Sequence, residues 1–227
     1  MQIPDSYVSK PIMTIPKIFF ETSIWKYSFD RVPRLLPNRA KIEWGGKDVE
    51  FDAFCFFTYL PNAKLDVKMK KEIMLLRPIA ELARNEKIEL MTSIEVFEEY
   101  WNIPGSFGSG PSCFDNVPIT HVAPPFNYSR TVGGKKVLIS FLKRVNIERF
   151  KELQVACGAY QGKNGINENQ LLDAYHIYSA ESAKVDYFLT GDKKLIRVLK
   201  HHKKYSPSVK IVLPSTLMTE LEVKGIR

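Results

Sequence analysis

The sequence predicts an α/β fold, a three-layer sandwich in which a central and mainly parallel sheet lies between helices. Short apolar runs alternate along the chain with segments whose apolar residues recur at helical spacing. Two of these runs, Lys17–Phe20 and Tyr187–Thr190, are interpreted as buried strands. An acid follows each run, Glu21 after the first and Asp192 after the second. Because ligands bind at the carboxyl ends of strands in open α/β sheets, these acids indicate where a site would lie.

The composition is typical of a soluble globular protein with a basic surface. The chain has 227 residues, of which 44% are hydrophobic and 26% are charged. This length favours a single domain over 1–227, with insertions, rather than two domains. The formal net charge is +8 and the isoelectric point is near 9.3. A basic balance of this kind favours a polyanionic partner such as nucleic acid.

Cysteine usage and hydropathy predict a cytoplasmic protein with no membrane partner. The three cysteines are odd in number and far apart, so neither a disulfide framework nor a zinc site is expected; they are Cys55, Cys113 and Cys157. The first sixteen residues lack the apolar segment of a signal peptide. The longest uncharged apolar run, Ala53–Leu60, is too short to span a bilayer.

The N-terminal part of the chain contributes the first acid. Residues 1–16 contain three prolines and no clear period, so we expect an extended arm. Lys17–Phe20 is the first strand, and Glu21 stands at its carboxyl end. Glu21 has two interpretations, a site carboxylate or an edge residue that faces water.

Residues 30–65 are interpreted as an insertion that carries a β-hairpin. Prolines and an asparagine interrupt its beginning. Two strand-like segments, Lys41–Trp44 and Lys47–Phe51, then flank Gly45-Gly46. A Gly-Gly pair between two such segments predicts a tight two-residue turn.

The middle of the chain predicts a helix, a strand and a second helix. A long helix is expected over 66–85, with Pro78 as a source of a kink. Lys87–Met91 is the next strand, and Thr92 with Glu95 has the spacing of a capping box at the start of a helix. Residues 103–134 are rich in Gly, Pro and Ser and are interpreted as a long loop. Lys135–Tyr160 then predicts one or two helices.

The segment from Leu171 to Leu195 carries the two remaining acids. Its first helix, which Asn167 can cap, has an apolar face formed by Leu171, Ala174, Tyr175 and Tyr178. Asp173 lies inside this apolar run and would need a cation or several donors if buried. Asp192 has two open interpretations, a site carboxylate or the N-cap of a helix over Lys193–Lys204.

Two further features accompany these acids. The helix that follows Asp192 presents a basic face that would suit a phosphate backbone or would simply be solvated; it consists of Lys193, Arg197, Lys200 and Lys204. His176 lies three residues after Asp173. A hydrogen bond near the site and a satisfied structural role are both open for His176, and the structural role is favoured.

Together the acids predict a metal site at one edge of the sheet. Each lies at a strand end or in an early turn of a helix; they are Glu21, Glu98 or Glu99, Asp173 and Asp192. Clustered carboxylates repel one another unless a cation lies between them. Oxygen ligands suit Mg²⁺ or Mn²⁺, which activate water and stabilise the charge of a displacement at phosphorus. Glu98 and Glu99 point to different sides of their helix, so one of them faces the site.

The order of these motifs resembles the PIN-domain family. The matching pieces are Phe20-Glu21-Thr22-Ser23, Thr92-Ser93 leading to Glu99-Tyr100, Asp173-Ala174, Phe188-Leu189-Thr190-Gly191-Asp192 and Val212-Leu213-Pro214. The resemblance runs through most of the chain except 30–65 and 103–134. It implies a parallel sheet between helices, an acidic pocket for Mg²⁺ or Mn²⁺, and endonucleolytic cleavage of single-stranded RNA by metal-activated water.

The resemblance also implies roles for individual residues. Metal-binding and catalytic roles fall on Glu21, Glu99, Asp173 and Asp192. Supporting roles fall on Thr22 or Ser23 beside the first acid, on Thr190 as a nearby polar group, and on Glu98 as the neighbour of Glu99. Glu99 is preferred because the family usually has its acid just before an apolar residue, here Tyr100. Independently of the resemblance, the basic face that begins beside Asp192 predicts that Lys193, Arg197 and Lys200 help to hold RNA.

One departure from the family leaves a second function open. The family's first acid is normally Asp, whereas this chain has Glu21, whose extra methylene moves the carboxylate by roughly 1.5 Å against the strict contacts of Mg²⁺. The alternative is therefore a degenerate site on the same fold, acting as an RNA- or protein-binding module. Many family members are shorter toxins of toxin–antitoxin pairs, so an antitoxin-like protein and a homodimer are further partners to consider.

Overall fold

A computed structural model describes eight stretches of the chain, which are 14–29, 31–35, 40–51, 54–58, 66–102, 110–127, 134–161 and 165–226. The predicted arm over 1–16 lies outside these residues except for its last three. Parts of the predicted insertion and of the predicted loop over 103–134 also lie outside them.

The described residues form strands and helices in alternation. The strands are β1 (Lys17–Phe20), β2 (Arg31–Leu35), β3 (Ala40–Trp44), β4 (Lys47–Phe51), β5 (Phe54–Thr58), β6 (Glu89–Thr92), β7 (Ile119–His121), β8 (Tyr160–Gln161), β9 (Gly165–Ile166), β10 (Tyr187–Leu189) and β11 (Lys210–Val212). The helices are α1 (Thr22–Ser28), α2 (Val67–Met74), α3 (Leu76–Arg84), α4 (Ile94–Trp101), α5 (Gly134–Leu142), α6 (Glu148–Ala156), α7 (Glu168–Ser182), α8 (Lys193–His201) and α9 (Pro214–Val223).

The central sheet contains five strands in the order β11-β10-β1-β6-β7, and each neighbouring pair is parallel. The central strand β1 is apolar at every position after Lys17, as expected for a strand covered on both faces. Phe19 packs into one hydrophobic cluster, and Ile18 and Phe20 pack into the other. The period of two in a strand thus divides β1 between two layers of core.

Helices cover both faces of this sheet. The cluster around Phe19 includes apolar residues of α5, α6, α7 and α8, among them Leu138, Phe150, Tyr175 and Leu195. The opposite cluster includes residues of α1, α3 and α9, among them Ile24, Ile79 and Leu217. The predicted α/β fold with a central parallel sheet and helices on both sides is therefore confirmed. None of the described helices has the length and apolar character needed to cross a membrane.

The predicted hairpin is also confirmed. Strands β3 and β4 pair antiparallel, and Gly45 and Gly46 form the turn with φ of 61° and 75°. Both values lie in the left-handed region, which glycine adopts at little cost. A second antiparallel pair encloses the hairpin in the chain: β2 precedes β3, and β5 follows β4. Pro33 lies within β2, so the expectation that it breaks regular structure is wrong; proline is tolerated in strands that leave an edge unpaired.

The prediction of one helix over 66–85 is wrong. The segment forms two helices, α2 and α3, with Leu75 between them as the residue that ends one and precedes the other. Pro78, the expected source of a kink, is the third residue of α3 and lies three residues after the break at Leu75. The first N–H groups of a helix have no acceptor within the helix, so a proline near its start removes no hydrogen bond. Asp66 caps α2 by accepting from the N–H of Lys68 at 3.2 Å.

Two local predictions in the next segment also need correction. Thr92 belongs to β6 rather than to a capping box, and its hydroxyl donates to the carbonyl of Phe20 at 3.0 Å. Ser93 is the N-cap of α4 and makes no side-chain capping bond. The predicted loop over 103–134 contains β7, which extends the sheet beside β6. None of its three residues is fully buried, so no apolar run marks this edge strand in the sequence. Lys135–Tyr160 forms two helices, as one alternative predicted.

Candidate acidic active site

The topology brings the four predicted acids to the carboxyl edge of the sheet. Glu21 follows β1 and is the N-cap of α1, and Asp192 follows β10 and is the N-cap of α8. Since β1 and β10 are parallel neighbours, these two acids lie on the same edge. Glu99 comes from α4, which follows β6, the other neighbour of β1, and Asp173 comes from α7.

The Glu21 carboxylate is held by donors from two chain segments. Its Oε2 accepts from the N–H of Ser23 at 2.6 Å, and its Oε1 accepts from the hydroxyls of Ser23 and Thr190, the latter at 2.8 Å. Burial raises the pKa of Glu21, although these hydrogen bonds oppose the shift. Thus Ser23 and Thr190 occupy the supporting positions beside the first acid.

The Glu99 carboxylate has a different set of partners. Its Oε2 accepts from the hydroxyl of Thr22 at 2.6 Å and lies 3.3 Å from Nε2 of His176. Its Oε1 accepts from Nζ of Lys135 at 3.3 Å. Burial would raise the pKa of Glu99, but His176, Thr22 and Lys135 outweigh it and lower the pKa to about 2. Glu98 shares none of these hydrogen bonds, as expected for adjacent residues that point to different sides of a helix.

His176 lies beside the site, although the sequence favoured a satisfied structural role for it. Only 3% of its surface is exposed. Burial disfavours the charged imidazole, but the contact with Glu99 and the fields of Glu21 and Asp173 raise its pKa. Its Nδ1 is buried and has no hydrogen-bond partner among the described residues. The fold therefore uses only one of its ring nitrogens, the one that faces Glu99.

Asp173 is the least compensated of the four acids. Within the described residues its carboxylate accepts no hydrogen bond, in contrast to Glu21 and Glu99. Burial, together with the charges of Glu21, Asp192 and Glu99, raises its pKa to about 7 against the opposing effect of His176. The sequence predicted that this carboxylate, if buried, needs either donors or a cation. Because the described residues supply no donor, a cation is the partner that remains.

Asp192 is the N-cap of α8, as one of its two interpretations predicted. Its Oδ1 accepts from the N–H groups of Lys194 at 2.7 Å and Leu195 at 3.0 Å. Its own N–H donates to the hydroxyl of Thr190 at 2.9 Å, which also donates to Glu21. Thr190 therefore links the two strand-end acids. Capping occupies one carboxylate oxygen and leaves Oδ2 without a hydrogen bond in the described part of the chain.

Several residues beside the acids had no signal in the sequence. Burial raises the pKa of Tyr27, and the charges of Glu21 and Asp192 raise it further, which indicates that the ring lies near both. A Cβ on Gly191 would lie 2.9 Å from Oγ of Ser23 and 3.4 Å from the Tyr27 ring. Gly191 also donates its N–H to the same Ser23 oxygen at 2.9 Å. Close approach of α1 to the loop between β10 and α8, rather than backbone torsion, therefore requires glycine here.

The predicted basic residues divide between two settings. Arg197 and Lys200 are exposed on α8. Lys193 is partly buried, with Nζ 3.9 Å from an Asp66 carboxylate oxygen. Lys194, which was not predicted, lines a cleft together with Asp173 and Asp192.

The four acids differ in how well they would fit a divalent cation. Among the described residues, no group of three or more His, Cys, Asp or Glu side chains is arranged to hold a metal ion. The chemistry of the donors nevertheless suits Mg²⁺ or Mn²⁺, because all four acids offer hard oxygen ligands. Asp173 and Oδ2 of Asp192 have no competing protein donor, so they fit as direct ligands. Glu21 and Glu99 are already held by protein donors and fit better as flanking charges.

Comparison with models of known protein families, with curated proteins and with solved structures found no significant match.

Proposed function

We propose that the chain is a Mg²⁺- or Mn²⁺-dependent endoribonuclease that cleaves single-stranded RNA, with a PIN-like site formed by Glu21, Glu99, Asp173 and Asp192. The observation that carries the proposal is the state of Asp173, a crowded carboxylate with no donor in the described protein and a pKa of about 7. Such a group among three other acids is energetically unfavourable unless a cation joins it.

The chain's own residues have distinct tasks in this proposal. Asp173 and Asp192 hold the cation, which supplies activation of water and charge stabilisation at phosphorus when bound. Thr22 and His176 hold Glu99 in place from two sides. Lys135 beside Glu99 offers a positive charge to a phosphate oxygen. Exposed Arg197 and Lys200, with Lys193, contact the RNA backbone, consistent with a net charge of +8.

The experiment is a cleavage assay on unstructured RNA with and without Mn²⁺. The wild type is expected to cleave only with metal, and Asp173→Asn is expected to lose cleavage. Asp48→Asn is the matched control, since Asp48 is an exposed aspartate of the β3–β4 hairpin. Equal cleavage by wild type and Asp173→Asn would refute the proposal. Calorimetry with Mn²⁺ on the wild type and on Asp192→Asn tests the ligand assignment separately.

A second candidate function is an RNA- or protein-binding module with a degenerate metal site. The geometry of Glu21 favours it, because both carboxylate oxygens already accept hydrogen bonds from Ser23 or Thr190. A carboxylate offers about four lone-pair sites, so the remaining capacity of Glu21 is small. Binding of RNA without metal-dependent cleavage, and without Mn²⁺ binding, would favour this module.

A further inference from the structure

A cleft of about 180 Å³ opens beside the acidic site. It lies between the beginning of α7 and the first two turns of α8, and the end of α6 closes one side. The residues that line it are Cys157, Asn167, Asn169, Gln170, Asp173, Asp192, Lys194, Leu195 and Val198. Because Asp173 and Asp192 belong to both, the cleft is continuous with the proposed metal site.

The two walls of the cleft differ in chemistry. On α7, Asn169 and Gln170 lie one turn before Asp173, so their side chains share its face of the helix. On α8, Leu195 and Val198 provide an apolar surface, to which the buried Cys157 adds. A site with amides on one wall and apolar atoms on the other suits a flat, polar-edged ring.

Gln170 has hydrogen-bonding capacity that the fold does not use. Its Oε1 is buried and has no partner among the described residues, so a half-turn of the amide about its last torsion is needed to present this acceptor to the cleft. Its amide lies over Gly158, where a Cβ would be 3.5 Å from Nε2 of Gln170 and 3.7 Å from Val198. By contrast, Oδ1 of Asn167 is occupied in capping α7 through the N–H groups of Asn169 and Gln170.

We propose that this cleft binds one nucleobase of the RNA, with adenine preferred, next to the phosphate that is cleaved; its placement beside a scissile phosphate rests on the proposed function. Proteins read single-stranded RNA by taking up unstacked bases and hydrogen-bonding their edges. A Gln or Asn amide presents a donor and an acceptor side by side, which match the N6 and N7 positions of adenine. The volume is below the ~300 Å³ or more of sites for drug-sized ligands, so it fits a single base rather than a longer fragment.

The charges of the cleft argue against a phosphate as its occupant. Asp173 and Asp192 contribute two carboxylates, against one ammonium from Lys194. A phosphate here would be repelled without a cation, whereas an uncharged base would not. Lys194 remains available to a flanking phosphate or to a carbonyl oxygen of the base.

The first test measures binding of the four ribonucleosides to the full-length protein by NMR titration without metal. Nucleosides lack phosphate, so the proposed metal site does not influence the result. Adenosine is expected to bind more tightly than uridine, cytidine or guanosine. Gln170→Leu, which keeps the size and removes the amide, is expected to weaken adenosine binding about tenfold. Asn169→Ala is a second variant at an exposed position, and Asn146→Ala is the matched control on a surface loop.

The second test maps the bases that flank cleavage sites in a random RNA pool with Mn²⁺. An adenine preference that Gln170→Leu removes is the expected result. Cleavage without any base preference, together with equal binding of all four nucleosides, would refute the base site and still support the proposed nuclease function. Adenosine binding that depends on Gln170, in a protein that cleaves no RNA, would support the base site and refute the proposed nuclease function.

Discussion

The hydroxyl of Thr22 donates a 2.6 Å hydrogen bond to Oε2 of Glu99, across 77 residues of sequence. Thr22 begins α1 directly after Glu21, yet its hydroxyl donates to the acid on α4. Glu21 instead accepts a hydrogen bond from the N–H of Ser23. This bond connects the segments that follow two neighbouring strands, and so it contributes to the spacing of the candidate site.

Removing this bond is expected to destabilise the protein. Thr22→Val keeps the shape of the side chain and leaves the Glu99 carboxylate with one donor fewer. Hydrogen bonds to charged groups contribute roughly 1.5–3 kcal/mol, so we expect a loss of that order in the free energy of unfolding, measured in urea. Thr22→Ser retains the hydroxyl and should lose less than about 1 kcal/mol. A larger loss in Thr22→Ser than in Thr22→Val would show that methyl packing, not the bond, matters here, because Val keeps the methyl group and Ser keeps the hydroxyl.

The metal-free protein is expected to become less stable as pH rises from about 4 to about 7. The Asp173 carboxyl titrates near 3.8 when unperturbed and near 7 in the fold. Between these values the folded state holds a proton that the unfolded state has released, so the free energy of unfolding falls with rising pH. Asp173→Asn removes this contribution and should be more stable than the wild type at pH 8 by at least about 1 kcal/mol. A steeper pH dependence in the variant would contradict the assignment.

Mn²⁺ is expected to stabilise the wild type near neutral pH and not to stabilise Asp173→Asn. A ligand that binds only the folded state stabilises it by about 2.7 kcal/mol at one hundred times its dissociation constant. Thermal unfolding with and without Mn²⁺ measures this shift, and Asp48→Asn should respond as the wild type does. A shift of equal size in all three proteins would place the ion elsewhere.

Gly191→Ala is expected to cost about 1–3 kcal/mol in the free energy of unfolding, because its Cβ would lie 2.9 Å from Oγ of Ser23. The same change made together with Ser23→Ala removes the clash and should cost less than the sum of the single changes. Additive losses in this double-mutant cycle would assign the cost of Gly191→Ala to the Tyr27 ring instead.

The basic residues on α8 are expected to set the salt dependence of RNA binding. Removing one cationic side chain that binds a phosphate should reduce the slope of log K against log salt by about 0.7 for a single strand. Arg197→Ala and Lys200→Ala should show this reduction for every RNA sequence tested. Lys87→Ala is the control, because Lys87 precedes β6 at the opposite edge of the sheet. An unchanged slope in the α8 variants would exclude that helix from the RNA path.

The fold class could be predicted because it depends on local patterns. A strand buried on both faces must be apolar along its length, and β1 after its first residue and β10 throughout are. Strand β7 escaped prediction because it is an edge strand whose three residues are not fully buried, so no apolar run marks it, and its place is decided by pairing with β6. The break at Leu75 was expected only as a kink from Pro78, because a continuous apolar stripe runs through α2 and α3 and conceals the boundary between them.

By itself the sequence determined which acids could meet, because Glu21 and Asp192 each follow a buried strand, and parallel strands end at the same edge. Only the tertiary structure decided which partner each acid has. Thr22 with Glu99, His176 with Glu99, and Thr190 with Glu21 are contacts between segments at least 77 residues apart. Such contacts depend on how helices pack on the sheet to within an ångström, and no spacing along the chain encodes that distance.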